Sequence, residues 1–166
     1  MKKTYKKFKI RKYQNADFDK VLDLFYNTIH SVNIHDYTPE QIDIWANKET
    51  KIDKFKKIFI ENHTLVIEDL ISKNEILGFA DLSNKGYLNC FYISKDFQKV
   101  GLGKALIQEI FKLAFLLDIK VIITESSITA KGFFENAGFE CISAQTRTIN
   151  SVEFTNYIMR KVLDEN

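Results

Sequence analysis

Residues 98–105, Gln98-Lys99-Val100-Gly101-Leu102-Gly103-Lys104-Ala105, set two glycines and two lysines at the head of an apolar run with helical spacing. Glycines let a backbone turn its N–H groups inward, and a helix starting there adds the positive end of its dipole. Such a segment suits an anion, and a diphosphate is the natural guest. Three ligand classes compete for this geometry, and residues at fixed offsets separate them. A Walker A loop needs a glycine ahead of the motif and Ser or Thr after its lysine, where this chain has Gln98 and Ala105. A dinucleotide fingerprint wants Gly or Ala where Leu106 stands, on the first strand of a wholly parallel sheet. What is left is a glycine loop between a strand and a helix, with Gln98, Gly101 and Gly103 at its fixed positions.

Other reactive side chains are sparse. His30 and His35 are spaced so that they do not share a helical face, and no Cys or carboxylate cluster joins them, so no metal site is expected. Cys90 and Cys141 lie far apart without CxxC spacing, which points to a reducing compartment rather than a disulfide framework. Seven Lys or Arg occupy the first twelve residues against a net charge of +2, so the remainder is acidic. Such an arm could touch nucleic acid, but no aromatic-interleaved basic patch follows it, and lysines leading into an edge strand are the simpler reading.

The elements that must position the loop follow from periodicity. A first strand is expected around Phe8 to Tyr13, then a helix capped at Asn15 with Phe18, Val21, Leu22, Phe25, Ile29 and Val32 on one face. Thr38-Pro39-Glu40-Gln41 reads as a capping box with proline in the first turn of a second helix, and Ile52, Phe55, Ile58 and Phe59 mark a third. From there the period becomes two. Thr64 to Ile67, Ile76 to Ala80 and Tyr87 to Ile93 read as an antiparallel meander turning at Ser72-Lys73-Asn74 and Ser83-Asn84-Lys85-Gly86. A broadly apolar helix over Leu102 to Leu117 leads to a β-branched strand, Val121 to Thr124, parallel to the strand before the loop. A short helix, Thr129 to Ala137, stops at Gly138, and Phe139 to Ala144 with Val152 to Met159 close the chain as a hairpin. The expected class is α/β of the α+β kind: one domain over residues 1–166 with a mixed, mainly antiparallel seven-stranded sheet and helices on both faces.

The loop, followed after one strand by Ser127, Ala130, Phe133, Phe134, Gly138 and Phe139, resembles the GNAT superfamily of N-acetyltransferases, whose short helix reads N-x-x-A-x-x-F-Y before G-F. The segments Ile29 to Thr38, Gly86 to Asn89 and Phe133 to Glu135 resemble its bacterial YafP-like branch, whose members usually carry Asp at position 89 and Pro at 132. The resemblance covers essentially the whole chain. It implies acetyl-CoA as acetyl donor, with pantetheine lying between a splayed central parallel pair of strands on the backbone of Tyr92 and Ile93. It also implies that amides from Lys99, Val100, Gly101, Leu102, Gly103, Lys104 and Ala105 hold the pyrophosphate beside Gln98, with Ser127 and Phe134 against the arm. Phe134 stands where many members place a tyrosine that protonates the departing thiolate, a role open to water, Tyr157 or Tyr92. The carboxylates Glu125 and Asp81 are both candidates for the base that receives the amine's proton. His30, His35 and Tyr37 occupy the region that resembles the superfamily's acceptor site.

The expected activity is transfer of an acetyl group to a primary amine of a small molecule or peptide, by direct attack on the thioester. A second class stays open, an acyl-CoA-binding regulatory module without transfer, suggested by Phe134 and Ser127. A cytoplasmic monomer or homodimer is expected, away from membranes, since no stretch of about 20 apolar residues occurs.

Overall fold

β-Branched and aromatic residues alternate where the chain is extended, and the computed structural model turns those stretches into one sheet. It describes residues 5–72 and 75–163; Lys2 and Lys3 of the basic arm and the turn residues Lys73 and Asn74 lie outside them. The strands are β1 (Phe8–Lys12), β2 (His63–Asp69), β3 (Ile76–Leu82), β4 (Tyr87–Ile93), β5 (Val121–Ser127), β6 (Glu140–Ile149) and β7 (Val152–Val162). The helices are α1 (Phe18–Ser31), α2 (Pro39–Trp45), α3 (Lys48–Glu61), α4 (Leu102–Leu116) and α5 (Lys131–Asn136). In space the strands run β1-β2-β3-β4-β5-β7-β6, every neighbouring pair antiparallel except β4 and β5.

Each face of the sheet buries its own core. Phe25 of α1 and Phe55 and Phe59 of α3 pack with Phe79 on one face, and Leu106 and Ile110 of α4 pack with Leu88, Phe134 and Met159 on the other. Full burial of one such side chain contributes about 1.5–3 kcal/mol, so these two layers carry most of the folding drive. β3 lies between them and has every residue buried.

Local chemistry sets the element ends. Thr38 and Gln41 form the expected capping box of α2, with the Gln41 N–H on Thr38 Oγ1 at 3.2 Å and the Thr38 N–H on Gln41 Oε1 at 2.8 Å. Asn15 does not cap α1. A 3-10 turn at Asn15–Asp17 comes first, and the Asp17 carboxylate accepts the Gln14 N–H at 2.8 Å, a stronger acceptor that moves the cap back by one residue. Two further 3-10 turns, Asn33–His35 and Lys95–Phe97, went unread because three residues carry too little periodicity. The last hairpin runs longer than its apolar pattern, since β6 is an edge strand exposed along almost its whole length.

Candidate active site

β4 makes the site. Ahead of Asn89 its even-numbered residues face β5: the Ile123 N–H donates to the Gly86 carbonyl at 2.9 Å, and Thr124 Oγ1 donates to the Leu88 carbonyl at 2.8 Å. Beyond Asn89 the even-numbered residues face β3 instead. The Cys90 N–H donates to the Asp81 carboxylate at 2.9 Å, and the Ser94 N–H to the Leu77 carbonyl at 2.8 Å. The switch is a β-bulge. Asp81 pairs with Cys90 and Leu82 with Leu88, so Asn89 opposes nothing on β3.

Two consequences follow from that extra residue. Registered pairing between β4 and β5 stops after Tyr87↔Ile123 and Leu88↔Thr124, and the parallel pair opens. Phe91 and Ile93 then present N–H and C=O to the gap, whereas Tyr92, opposite Phe79, spends its own on β3. Of the expected backbone pair, Ile93 faces the gap and Tyr92 faces β3, and Phe91 stands beside Ile93 on the gap side. Of these, the Ile93 carbonyl is already occupied, by Gln98 Nε2 at 2.6 Å and Thr28 Oγ1 at 3.2 Å. Its N–H and both backbone groups of Phe91 face the gap.

At the foot of the gap the loop has the conformation its glycines foretell. Lys99 and Gly101 both adopt positive φ, 60° and 98°, which folds successive N–H groups toward one side just as α4 begins. Gly103 lets α4 sit close to α5, since a Cβ there would come 3.0 Å from the Phe133 ring and the ring would have to shift by a few tenths of an ångström. The Ala105 N–H donates to the Gly101 carbonyl at 3.1 Å, the first bond of the helix, so the amides ahead of it, up to Lys104, are the ones without an intrahelical acceptor. Leu102 is buried in the core and Val100 packs toward it, so these two can offer only their backbones. Gln98 closes the turn, its amide bridging the Ile93 and Ser94 carbonyls. From behind, the Tyr5 N–H donates to the Val100 carbonyl at 3.0 Å, and the Tyr5 ring meets Phe97 edge-on at 5.1 Å.

A cleft of about 740 Å³ runs from this loop through the gap to α2. Ile93, Gln98, Lys99, Gly101, Gly103, Lys104, Ser127 and Phe134 line its loop end, and His35, Tyr92 and Glu125 line it farther along. Ser127 Oγ accepts the Ala130 N–H at 3.1 Å and so starts the turn into α5. Phe134 sits in an aromatic cluster with Phe91, Phe133 and Phe139, a dry wall without a proton to give. Burial pushes the Tyr92 phenol well above its ordinary pKa, so it stays neutral beside Trp45. Tyr157 packs on the α4 side with Lys131 over its ring.

The two candidate carboxylates part company. Glu125 reaches the cleft and accepts from Arg147 at 2.6 Å, Gln145 at 3.0 Å and Asn156 at 3.2 Å. Burial and this carboxylate push the Tyr87 phenol up to about 12. Asp81 does not line the cleft. It is fully buried in β3, bonded to Asn62, Asn89 and Cys90, and burial holds its carboxyl above the usual range. Of the two expected base candidates, the structure brings Glu125 to the cleft and keeps Asp81 sealed behind it.

Of the expected acceptor residues, His35 faces the cleft and two do not. His30 stacks on Tyr26 with ring centroids 4.0 Å apart and holds the Tyr26 carbonyl through Nδ1 at 2.9 Å. The Tyr37 hydroxyl accepts the Ile128 N–H at 2.8 Å and donates to the Thr155 carbonyl at 3.3 Å, clasping the start of α2 to β5 and β7. Beside it the Asp36 carboxylate accepts Thr129 Oγ1 at 2.7 Å. Asn33, Asp36, Trp45, Asn89 and Phe91 are among the other residues of the walls, and the sequence reading did not place them at the site. Only Asn89 had a signal, as a departure from the resembled branch. Among the described residues no group of three or more His, Cys, Asp or Glu could hold a metal ion.

A sheet opened at its one parallel pair, with an anion loop and helix start at the foot of the opening, defines an acyl-CoA-dependent N-acyltransferase fold. Residues 33–161 match the acetyltransferase (GNAT) domain family, and the chain belongs to it. Acetyl-CoA is accordingly its acetyl donor. The uncharacterized N-acetyltransferase YafP of Escherichia coli (strain K12) is 26% identical over 151 residues, 91% of this chain and 93% of that protein, in keeping with the narrower resemblance. A GCN5-related N-acetyltransferase from Rhodopseudomonas palustris superposes with a TM-score of 0.86 at 26% identity, covering 93% of this chain and 95% of its own. The PaiA N-acetyltransferase of Thermoplasma acidophilum, solved in complex with coenzyme A, shares the fold with a TM-score of 0.72 at 18% identity over 94% of this chain and 99% of its own. No helix among the described residues is long and apolar enough to cross a membrane.

Proposed function

We propose that the chain moves the acetyl group from acetyl-CoA to a primary amine by direct attack, with the carrier threaded through the gap between β4 and β5. The diphosphate would meet the amides of Lys99 to Lys104 and the Lys99 and Lys104 side chains. The pantetheine arm would add to the free edge at Phe91 and Ile93 as an extra strand. The amine would enter from the α1–α2 side, past His35 and Trp45. An alkylammonium has a pKa of about 10.4, so it must lose a proton before attack; Glu125 is the carboxylate at hand, and a Phe91 or Ile93 N–H is free to hold the oxyanion. The N–C bond forms, the C–S bond breaks, and the departing sulfur takes its proton from water, since Phe134 has none.

The observation that carries this reading is the change of phase at Asn89, which leaves unpaired amides facing a cleft that ends at an anion loop. The test is release of free thiol from acetyl-CoA in the presence of panels of amines, peptides and aminoglycosides. Turnover with at least one amine is expected. Phe134 favours one rival, a binding module without transfer, which predicts tight binding of acetyl-CoA and no thiol release across every panel.

A further inference from the structure

Asp81 is a carboxyl group with every route to water closed, at 0% exposure in β3. A buried carboxylate is tolerated only when its lone pairs are filled, and its donors here are Asn62 Nδ2 at 2.7 Å, the Cys90 N–H at 2.9 Å and Asn89 Nδ2 at 3.3 Å. Two of the three belong to the bulge residue and its neighbour. Just past the bulge, where Cys90 pairs with Asp81 across the ladder, the Cys90 N–H meets a side chain as well as the partner strand. A strand with one surplus residue has a competing arrangement in which the ladder closes and each following residue turns over. Neither Gly nor Pro stands at 88–90 to forbid that arrangement, and the Asp81 carboxylate bonds both Asn89 and Cys90.

We propose that Asp81 is a positioning residue: by gripping Asn89 and Cys90 it holds the bulge, and through the bulge the phase that turns the Phe91 and Ile93 amides into the gap. This rests on the reading above that those amides receive the pantetheine arm. A purely structural carboxylate would, when replaced, lower stability and leave the binding of the two halves of the carrier in their original proportion. A positioning carboxylate separates them.

The experiment compares Asp81→Leu and Asp81→Asn with the wild type, using coenzyme A and adenosine 3′-phosphate 5′-diphosphate, which has the diphosphate and lacks the arm. Calorimetry reads both affinities, and amide exchange by NMR reads residues 91–93. In the wild type, coenzyme A slows the Phe91 and Ile93 amides at least tenfold, while Tyr92 is slow throughout. In the leucine variant the coenzyme A Kd rises at least tenfold, the nucleotide Kd changes less than threefold, and the Phe91 response disappears. The asparagine variant keeps an acceptor for Cys90 but turns an NH₂ toward its other donors, so it falls between. Should leucine prevent folding, the asparagine variant alone decides, by the same divergence of the two affinities. A folded variant in which both constants stay within threefold and Phe91 still responds overturns the role of Asp81 and leaves the proposed binding mode standing. Wild-type amides at 91 and 93 that ignore coenzyme A overturn the binding mode itself, and this role with it.

Discussion

Glu125 and Asp81 are both acids near the end of a strand, and in a linear sequence nothing tells them apart. Burial does. Asp81 belongs to a strand enclosed on both faces, whereas Glu125 projects on the α1–α3 side, where the outer hairpin supplies Gln145, Arg147 and Asn156 to hold it in place. Three donors around one carboxylate keep it aimed, which suits the base role proposed for it. Glu125→Gln keeps the shape and the acceptor oxygen but removes the charge and the proton affinity. We expect kcat/KM for any amine found in the screen to fall roughly 100-fold, the lower end for loss of a general base, with the Kd for acetyl-CoA unchanged. Equal loss in both measurements would reassign Glu125 to scaffolding.

Elements far from the chemistry bear on the loop. The segment before β1 crosses beneath it, where the Tyr5 N–H holds the Val100 carbonyl, the ring abuts Phe97, and the hydroxyl donates to Asp69. That last bond is the main reason the Tyr5 phenol is raised to about 12. A loop held from behind keeps its amides pointing forward before any ligand arrives, and such preorganisation shows in affinity more than in turnover. Tyr5→Ala should raise the Kd for acetyl-CoA several-fold, on the order of the tenfold that one hydrogen bond to a charged group can supply, and leave kcat at saturation untouched. Stopped-flow binding and steady-state rates check the two halves separately. This contact was illegible in the sequence because it joins position 5 to position 100, and periodicity speaks only of neighbours. The loop itself, α1, the capping box of α2 and the strand–helix–strand crossover were legible, since each rests on spacing within a few turns. The bulge was not. Asn89 looks like any other member of Tyr87 to Ile93, and a single unpaired residue leaves the alternation of apolar side chains nearly intact while reversing which amides face outward.

Across the whole molecule, the sheet works as a partition with one opening, and α1 helps hold that opening because Thr28 reaches the Ile93 carbonyl. What fastens α1 to the sheet edge is a knot of charge: Arg11 of β1 meets Asp17 at 2.7 and 2.9 Å, and also Glu68 of β2. Asp17 is buried, which alone would raise its carboxyl, but the Arg11 bonds and the Gln14 N–H outweigh burial and hold it below the ordinary range. A lowered folded-state pKa gives stability that is complete above the unfolded value, about 3.9, and is lost as the pH falls through the folded value. Arg11→Met removes the partner and leaves Asp17 buried and charged, so at pH 7 the variant should be less stable by about 2 kcal/mol. The gap between the two proteins should then close on acidification, because the wild type loses its ion pair while the variant is relieved of an uncompensated charge. Thermal melts at pH 7 and at about pH 2.5, below the carboxylate range, read both ends of this cycle. A difference that persists undiminished in acid would mean that Arg11 acts through the packing of its alkyl stem and not through Asp17.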